Sequence, residues 1–165
     1  MMLGWWATRT RRFWRHVSGR VTPVERAALG EWLTPAQLEL FDSMQRPDRR
    51  HGLDVVAALR RAGHDDPDLL LAGLLHDCGK GSTLRLWHRV GWSLSERYGR
   101  RVRWLVSRLP GFATAFAIID SHAQHSADLA LAAGCSPATA ELIRHQAEPL
   151  DDVLGDALRL ADEAS

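Results

Sequence analysis

Residues 66–81, DPDLLLAGLLHDCGKG, carry the reading on which the fold depends. Asp66-Pro67 is a helix-opening pair: a side-chain acceptor for free N–H groups, then a residue whose fixed φ suits the first turn. Leu69 to Leu75 (LLLAGLL) are all apolar, and a helix apolar on every side belongs in a core. It ends in the tight turn of Gly79, Lys80, Gly81 and Ser82. At the junction stand His76 and Asp77. An imidazole and a carboxylate at the end of a buried helix are costly unless paired or bound to a metal. Neighbouring helical residues point about 100° apart. The two can therefore flank one ion, or Asp77 can bridge two while His76 binds one.

Outward from this stretch, helix signals recur in both directions. Thr22-Pro23-Val24-Glu25 and Thr34-Pro35-Ala36-Gln37 read as capping boxes with proline at the first helical position. Arg49 to Ala62 has apolar residues at 53, 55, 56 and 59, with Gly63 as a stop. Ser136-Pro137 opens a helix running to about Gln146, and further helices are expected over 84–98, 100–108, 112–133 and 151–163. No segment alternates with a period of two, and no repeat is visible. The fold class read from this pattern is all-α.

The 165 residues suit one compact domain, and 45% of them are hydrophobic. Twenty-one basic side chains against twenty acidic ones leave a net charge of +1, which argues against a protein built to coat nucleic acid. No apolar run approaches the roughly 20 residues of a membrane span. Cys78 and Cys135 form no zinc-like pair and no disulfide scaffold, so a reducing cytoplasm is the simpler expectation. Lys80 is the one lysine beside twenty arginines, which hints that its position needs a compact ammonium. Charge is polarised along the chain: residues 1–20 hold five arginines and no acid, residues 148–165 six acids and Arg159. On a helix over the N-terminal stretch, Trp6, Phe13, Trp14 and Val17 share one side, with Arg11, Arg12 and Arg15 roughly opposite. Two readings stay open there: a weak contact of residues 1–20 with an anionic membrane surface, or aromatics packed on the domain with the arginines solvated.

Of the eight histidines, His16, His64 and His88 lie in polar stretches and read as surface. The others fall in order around the HDCGK segment. His51 begins the preceding amphipathic helix, His125 opens HSADLALAAG, His145 lies in ELIRHQAEP, and Asp162 sits in LRLADEAS. This set resembles the HD-domain superfamily of metal-dependent phosphohydrolases, the HDIG-like branch in particular. The likeness spans about Arg46 to Asp162. It implies an HD-domain helical bundle over 46–165, with a helical insertion at about 84–110 and an N-terminal helical extension over 1–45.

By the same resemblance His51, His76, Asp77 and Asp162 match the core metal ligands, and His125 and His145 match the extra histidines of two-metal members. His122 lies one turn from His125 and is the alternative ligand; His125 is preferred because the helix after it fits the family's segment. Asp77 would be the bridging carboxylate, and Lys80 matches a lysine that steadies a phosphate's charge. Cys78 reads as a packing residue. Glu148 and Asp151 offer either a hydrogen bond behind the ligands or ordinary helix caps. Within the insertion, Arg85, His88 and Arg89 either reach a substrate phosphate or decorate surface helices.

The cofactor implied is one or two divalent metal ions, Mn, Fe, Zn or Mg, since mixed imidazole and carboxylate donors suit all of these to differing degrees. Metal-activated water would hydrolyse a phosphomonoester or phosphodiester, and the partner expected is a small, nucleotide-like phosphorylated substrate. The alternative is a catalytically silent, metal-binding HD domain acting as a regulatory or interaction module.

Overall fold

The computed structural model describes residues 19–81, 84 and 86–165. The N-terminal amphipathic segment therefore lies outside the described residues except for its last two positions, as does Arg85; of Arg89 only the backbone is described. Among the described residues every regular element is helical and no strand occurs.

The helices begin where side chains can satisfy their first N–H groups. Helix α1 (Pro23–Leu29) is opened by Thr22 and α2 (Pro35–Ser43) by Thr34, each with the full reciprocal capping box. Asp66 caps α4 (Pro67–Leu75) and Ser136 caps α8 (Pro137–Arg144), again with proline at the first position. Between these lie α3 (Arg46–Arg61), α5 (Leu86–Tyr98), α6 (Arg100–Ser107) and α7 (Phe112–Ala132), and α9 (Leu154–Ala164) closes the chain. A 3-10 turn, Cys78–Lys80, follows α4.

Helix α4 is the axis of the bundle. Leu69, Leu74 and Leu75 are fully buried, surrounded by Val55 and Leu59 of α3, Ile143 of α8 and Leu158 of α9. Burying each such side chain contributes on the order of 2 kcal/mol. Leu29, Leu33, Phe41 and Met44 join the same core, so residues 19–45 pack as part of one bundle. Polar ties reinforce it: the Asp68 carboxylate of α4 accepts from Ser136 Oγ (2.5 Å) and Thr139 Oγ1 (2.7 Å) of α8.

The α5–α6 hairpin packs more loosely. His88, expected at the surface or against a phosphate, is buried instead, edge-on to the Phe112 ring of α7 at 5.0 Å. Trp92 meets Phe116 edge-on and Arg103 lies over both rings, whereas Leu94, Tyr98, Trp104 and Leu105 stay exposed. No helix among the described residues is long and apolar enough to cross a membrane.

Candidate metal centre

Four helices and the glycine turn after α4 deliver one polar cluster. His51 lies on α3, and the next residue is Gly52, where an added Cβ would stand 2.4 Å from the Leu74 carbonyl oxygen. Only glycine lets α3 approach the last turn of α4 so closely, and that approach carries the His51 ring to within 5.2 Å of the His76 ring. His76 caps the C-terminus of α4, and its Nδ1 donates to the Gly73 carbonyl at 3.0 Å. This bond assigns the ring proton to Nδ1 and leaves the Nε2 lone pair facing inward. Nε2 of His76 is 3.6 Å from Asp77 Oδ1 and 3.6 Å from Asp162 Oδ1. Asp162, from the last turn of α9, also meets His51 Nε2 at 2.6 Å.

Asp77 is the buried heart of the cluster, 3% exposed. Its Oδ2 accepts from Lys80 Nζ at 2.5 Å, while Oδ1 faces His76 and, at 3.6 Å, Nε2 of His122 from α7. One donor atom each from His51, His76 and Asp77 lie within 4.8 Å of one another. Two imidazole nitrogens and a carboxylate oxygen at that spacing could hold a divalent cation, with Asp162 beside them as a fourth donor.

The charges fit that role. Burial opposes ionisation of Asp77, yet Lys80, then His76, His51 and His122, hold its carboxyl well below the usual range. Burial likewise raises Asp162, but the His51 hydrogen bond together with the charges of His76 and His51 outweighs it, and the net shift is downward. For His51, burial disfavours the cation, and the Asp162 hydrogen bond with the charges of Asp77 and Asp162 reverses the balance, raising its pKa. Burial and the Lys80 charge lower that of His122, so its ring is neutral near pH 7. Burial pushes the Cys78 thiol up to about 12, so it stays protonated and is no nucleophile.

Neither family models, nor curated proteins, nor solved structures give a significant match to the chain. The site therefore rests on its own geometry.

Of the residues singled out from sequence, His51, His76, Asp77, Asp162 and Lys80 come together. His125 and His145 do not. His125 is exposed on α7, and His145 ends α8 turned back toward Glu141, 3.4 Å away. His122, the alternative one turn earlier, takes the inward position. The physical reason is the seating of the glycine turn against α7. A Cβ on Gly79 would meet Ser126 N at 2.5 Å and His122 O at 2.6 Å, and the Gly79 N–H donates to Ser126 Oγ at 2.8 Å. The 122/126 face of α7 is thereby the one pressed on the turn, and His125 falls to its side. The sequence signal for this was a small residue, Ser126, one helical turn after His122.

Gln146 had not been singled out; its Nε2 lies 3.3 Å from His122 Nε2. His122 Nδ1 bonds the Ile119 carbonyl at 2.5 Å, so the amide N–H donates to the Nε2 lone pair. Asp151 is a cap: its Oδ1 accepts from the N–H groups of Val153 and Leu154, both at 2.7 Å.

Proposed function

We propose that the protein is an HD-type, metal-dependent phosphohydrolase acting on a small phosphorylated, nucleotide-like substrate. The observation that carries this reading is the convergence of His51, His76, Asp77 and Asp162, from positions over a hundred residues apart, beside the single lysine of the chain. His51, His76, Asp77 and Asp162 would hold the cation. Bound there, it would supply a Lewis acid for a phosphoryl oxygen and lower the pKa of water near neutrality.

The chain's own groups supply the rest. The Nδ1 bond to Gly73 keeps the His76 ring in one tautomer and orientation. Lys80 holds an ammonium against Asp77 Oδ2, where it both offsets the carboxylate and offers positive charge to an incoming phosphate. His122, neutral and anchored through Nδ1, presents Nε2 toward Asp77. It can accept a proton once Gln146 is displaced from that lone pair.

The exposure of His125 and the Glu141 pairing of His145 favour one ion over two. They also give the alternative, a silent metal-binding module, its specific support. One experiment separates the two: metal analysis of protein purified without chelator, with turnover of phosphomonoester and phosphodiester panels in added Mn²⁺, Fe²⁺ or Zn²⁺. Bound metal with turnover, both lost in Asp77→Ala, supports the hydrolase. Bound metal without turnover leaves the silent module, and no metal at all removes both.

A further inference from the structure

We infer that the protein carries a second, separate binding site for a phosphate-bearing anion, in an arginine-lined pocket between the segment that leads into α1 and the start of α3. The pocket has a volume of about 330 Å³, and the described residues that line it are 20–23 with Arg26, Arg46 and Arg49. That size falls near the lower end of small-ligand sites, roughly 300–1,000 Å³. Four of its seven residues are arginines and none is acidic.

The neighbouring acids neutralise only part of this charge. Asp42 is held by Arg26, whose Nε lies 3.1 Å from Oδ1 and 3.0 Å from Oδ2. Glu25 turns to Thr22 and Arg50 instead. Arg49 reaches Asp42 only at 3.6 Å, and its Nε is the one buried side-chain nitrogen or oxygen among the described residues without a hydrogen-bond partner. A buried donor left unpaired is costly because it has lost its water without gaining a partner, and such a group in a folded protein calls for a specific cause, such as a missing ion. Arg20 and Arg46 are exposed, and among the described residues neither has an ion-pair partner. Asp42 thus offsets part of the charge of Arg26 and Arg49, while Arg20 and Arg46 add positive charge with no acid among the described residues paired to them, an arrangement that an anion would stabilise.

Guanidinium groups present paired donors that match phosphate oxygens, and an ammonium cannot reproduce that fork. The geometry points to a ligand with more than one anionic oxygen. On α3, His51 stands roughly 140° around from Arg46 and 160° from Arg49 at 100° per residue. The pocket therefore belongs to the opposite side of the helix from the metal cluster, and the inference stands whether or not that cluster hydrolyses anything.

The full chain in EDTA, titrated calorimetrically with inorganic pyrophosphate, tests it, with vesicles containing an anionic phospholipid as a second arm. Binding should weaken about tenfold in each of Arg20→Gln and Arg46→Gln, with melting temperatures unchanged because both side chains are exposed and unpaired. Arg49→Lys, which keeps the charge but loses the fork, should weaken it as well. Asp162→Asn should bind like the parent. Pyrophosphate binding with this pattern supports a soluble ligand, and the same pattern on vesicles alone supports a lipid headgroup. Binding in neither arm, binding unchanged in the Arg20→Gln/Arg46→Gln double variant, or binding lost in Asp162→Asn would overturn the inference.

Discussion

Within six positions of its start, α3 serves two regions that treat charge in opposite ways. Around His51 every charged or polar group has an internal counterpart: Asp162 for His51, Lys80 for Asp77, the Gly73 carbonyl for His76. In the arginine pocket Arg26 and Arg49 share one acid, Asp42, and among the described residues Arg20 and Arg46 have no ion-pair partner. The difference follows burial. A charge in the core must be matched within the chain, because water is not there to solvate it. One at a pocket rim can wait for a ligand. A residue's charge thus says little about its energetic role until its depth is known.

The sharpest way to break this contrast is to delete the central acid of the buried region. Asp77→Ala leaves Lys80 and three imidazoles without their shared carboxylate, and removing one partner from a buried ionic cluster costs about 3 kcal/mol. If Asp77 holds the proposed cation, metal affinity should fall by about 100-fold or more. Thermal unfolding with and without added Mn²⁺ reads both effects. Arg46→Gln in the other region should stay within about 0.5 kcal/mol of the parent. Equal losses from the two substitutions would erase the distinction.

A smaller effect tests which histidine of α7 belongs to the buried region. His122→Ala should weaken metal binding or turnover about tenfold, while exposed His125→Ala should change neither. The choice between them shows where sequence reading stops. The caps at Thr22, Thr34, Asp66 and Ser136 were legible because each is a local exchange of hydrogen bonds within four residues. His76-Asp77 was legible because a polar pair ending an apolar helix is costly, and His51 and Asp162 entered through the family pattern. The phase of α7 was not legible. It depends on Gly79 seating against Ser126, 47 residues away in sequence. His145 went astray because α8 stops at Arg144, which turns the next side chain toward Glu141. The arginine pocket was invisible for the same kind of reason, since it joins residues 20–26 to residues 46–49.

The pH dependence of the metal-free protein sharpens the contrast further. His51 has its pKa raised above 6.5, so the stabilisation it contributes is complete below 6.5 and disappears as pH rises through the folded value. Asp162 is lowered below 3.8, so its share is complete above 3.8 and disappears as pH falls through the folded value. In EDTA, the stability advantage of the parent over His51→Gln should therefore shrink as pH is raised above 6.5. A cation held by His51, as proposed, would compete with the same proton, so metal affinity should move the other way, tightening by up to about tenfold per pH unit until that proton is gone. Melting curves and metal titrations at matched pH values give the two trends. Parallel trends would mean that His51 is not a ligand.

The smallest effect concerns Arg50, which sits between the two regions and belongs to neither. Its guanidinium donates to Glu25 Oε1 at 2.7 Å and to Asp54 Oδ1 at 2.9 Å, tying α1 to α3. The Arg50 hydrogen bond, with the Thr22 backbone N–H behind it, lowers the Glu25 carboxyl from 4.5 to about 2. A lowered acid contributes stability that is complete above 4.5 and is lost as pH falls toward 2. Glu25 is more than a third exposed, so water screens most of the pair and the expected loss in Glu25→Gln is only about 0.5 kcal/mol. The loss should be present at pH 7 and vanish near pH 2, where the parent's own carboxylate is protonated. Arg50 keeps Asp54 in that variant, so pyrophosphate binding in the neighbouring pocket should be unaltered. If Glu25→Gln instead tightened pyrophosphate binding markedly, Arg50 would have swung to the ligand, and paired and unpaired arginines along α3 would be one interchangeable set.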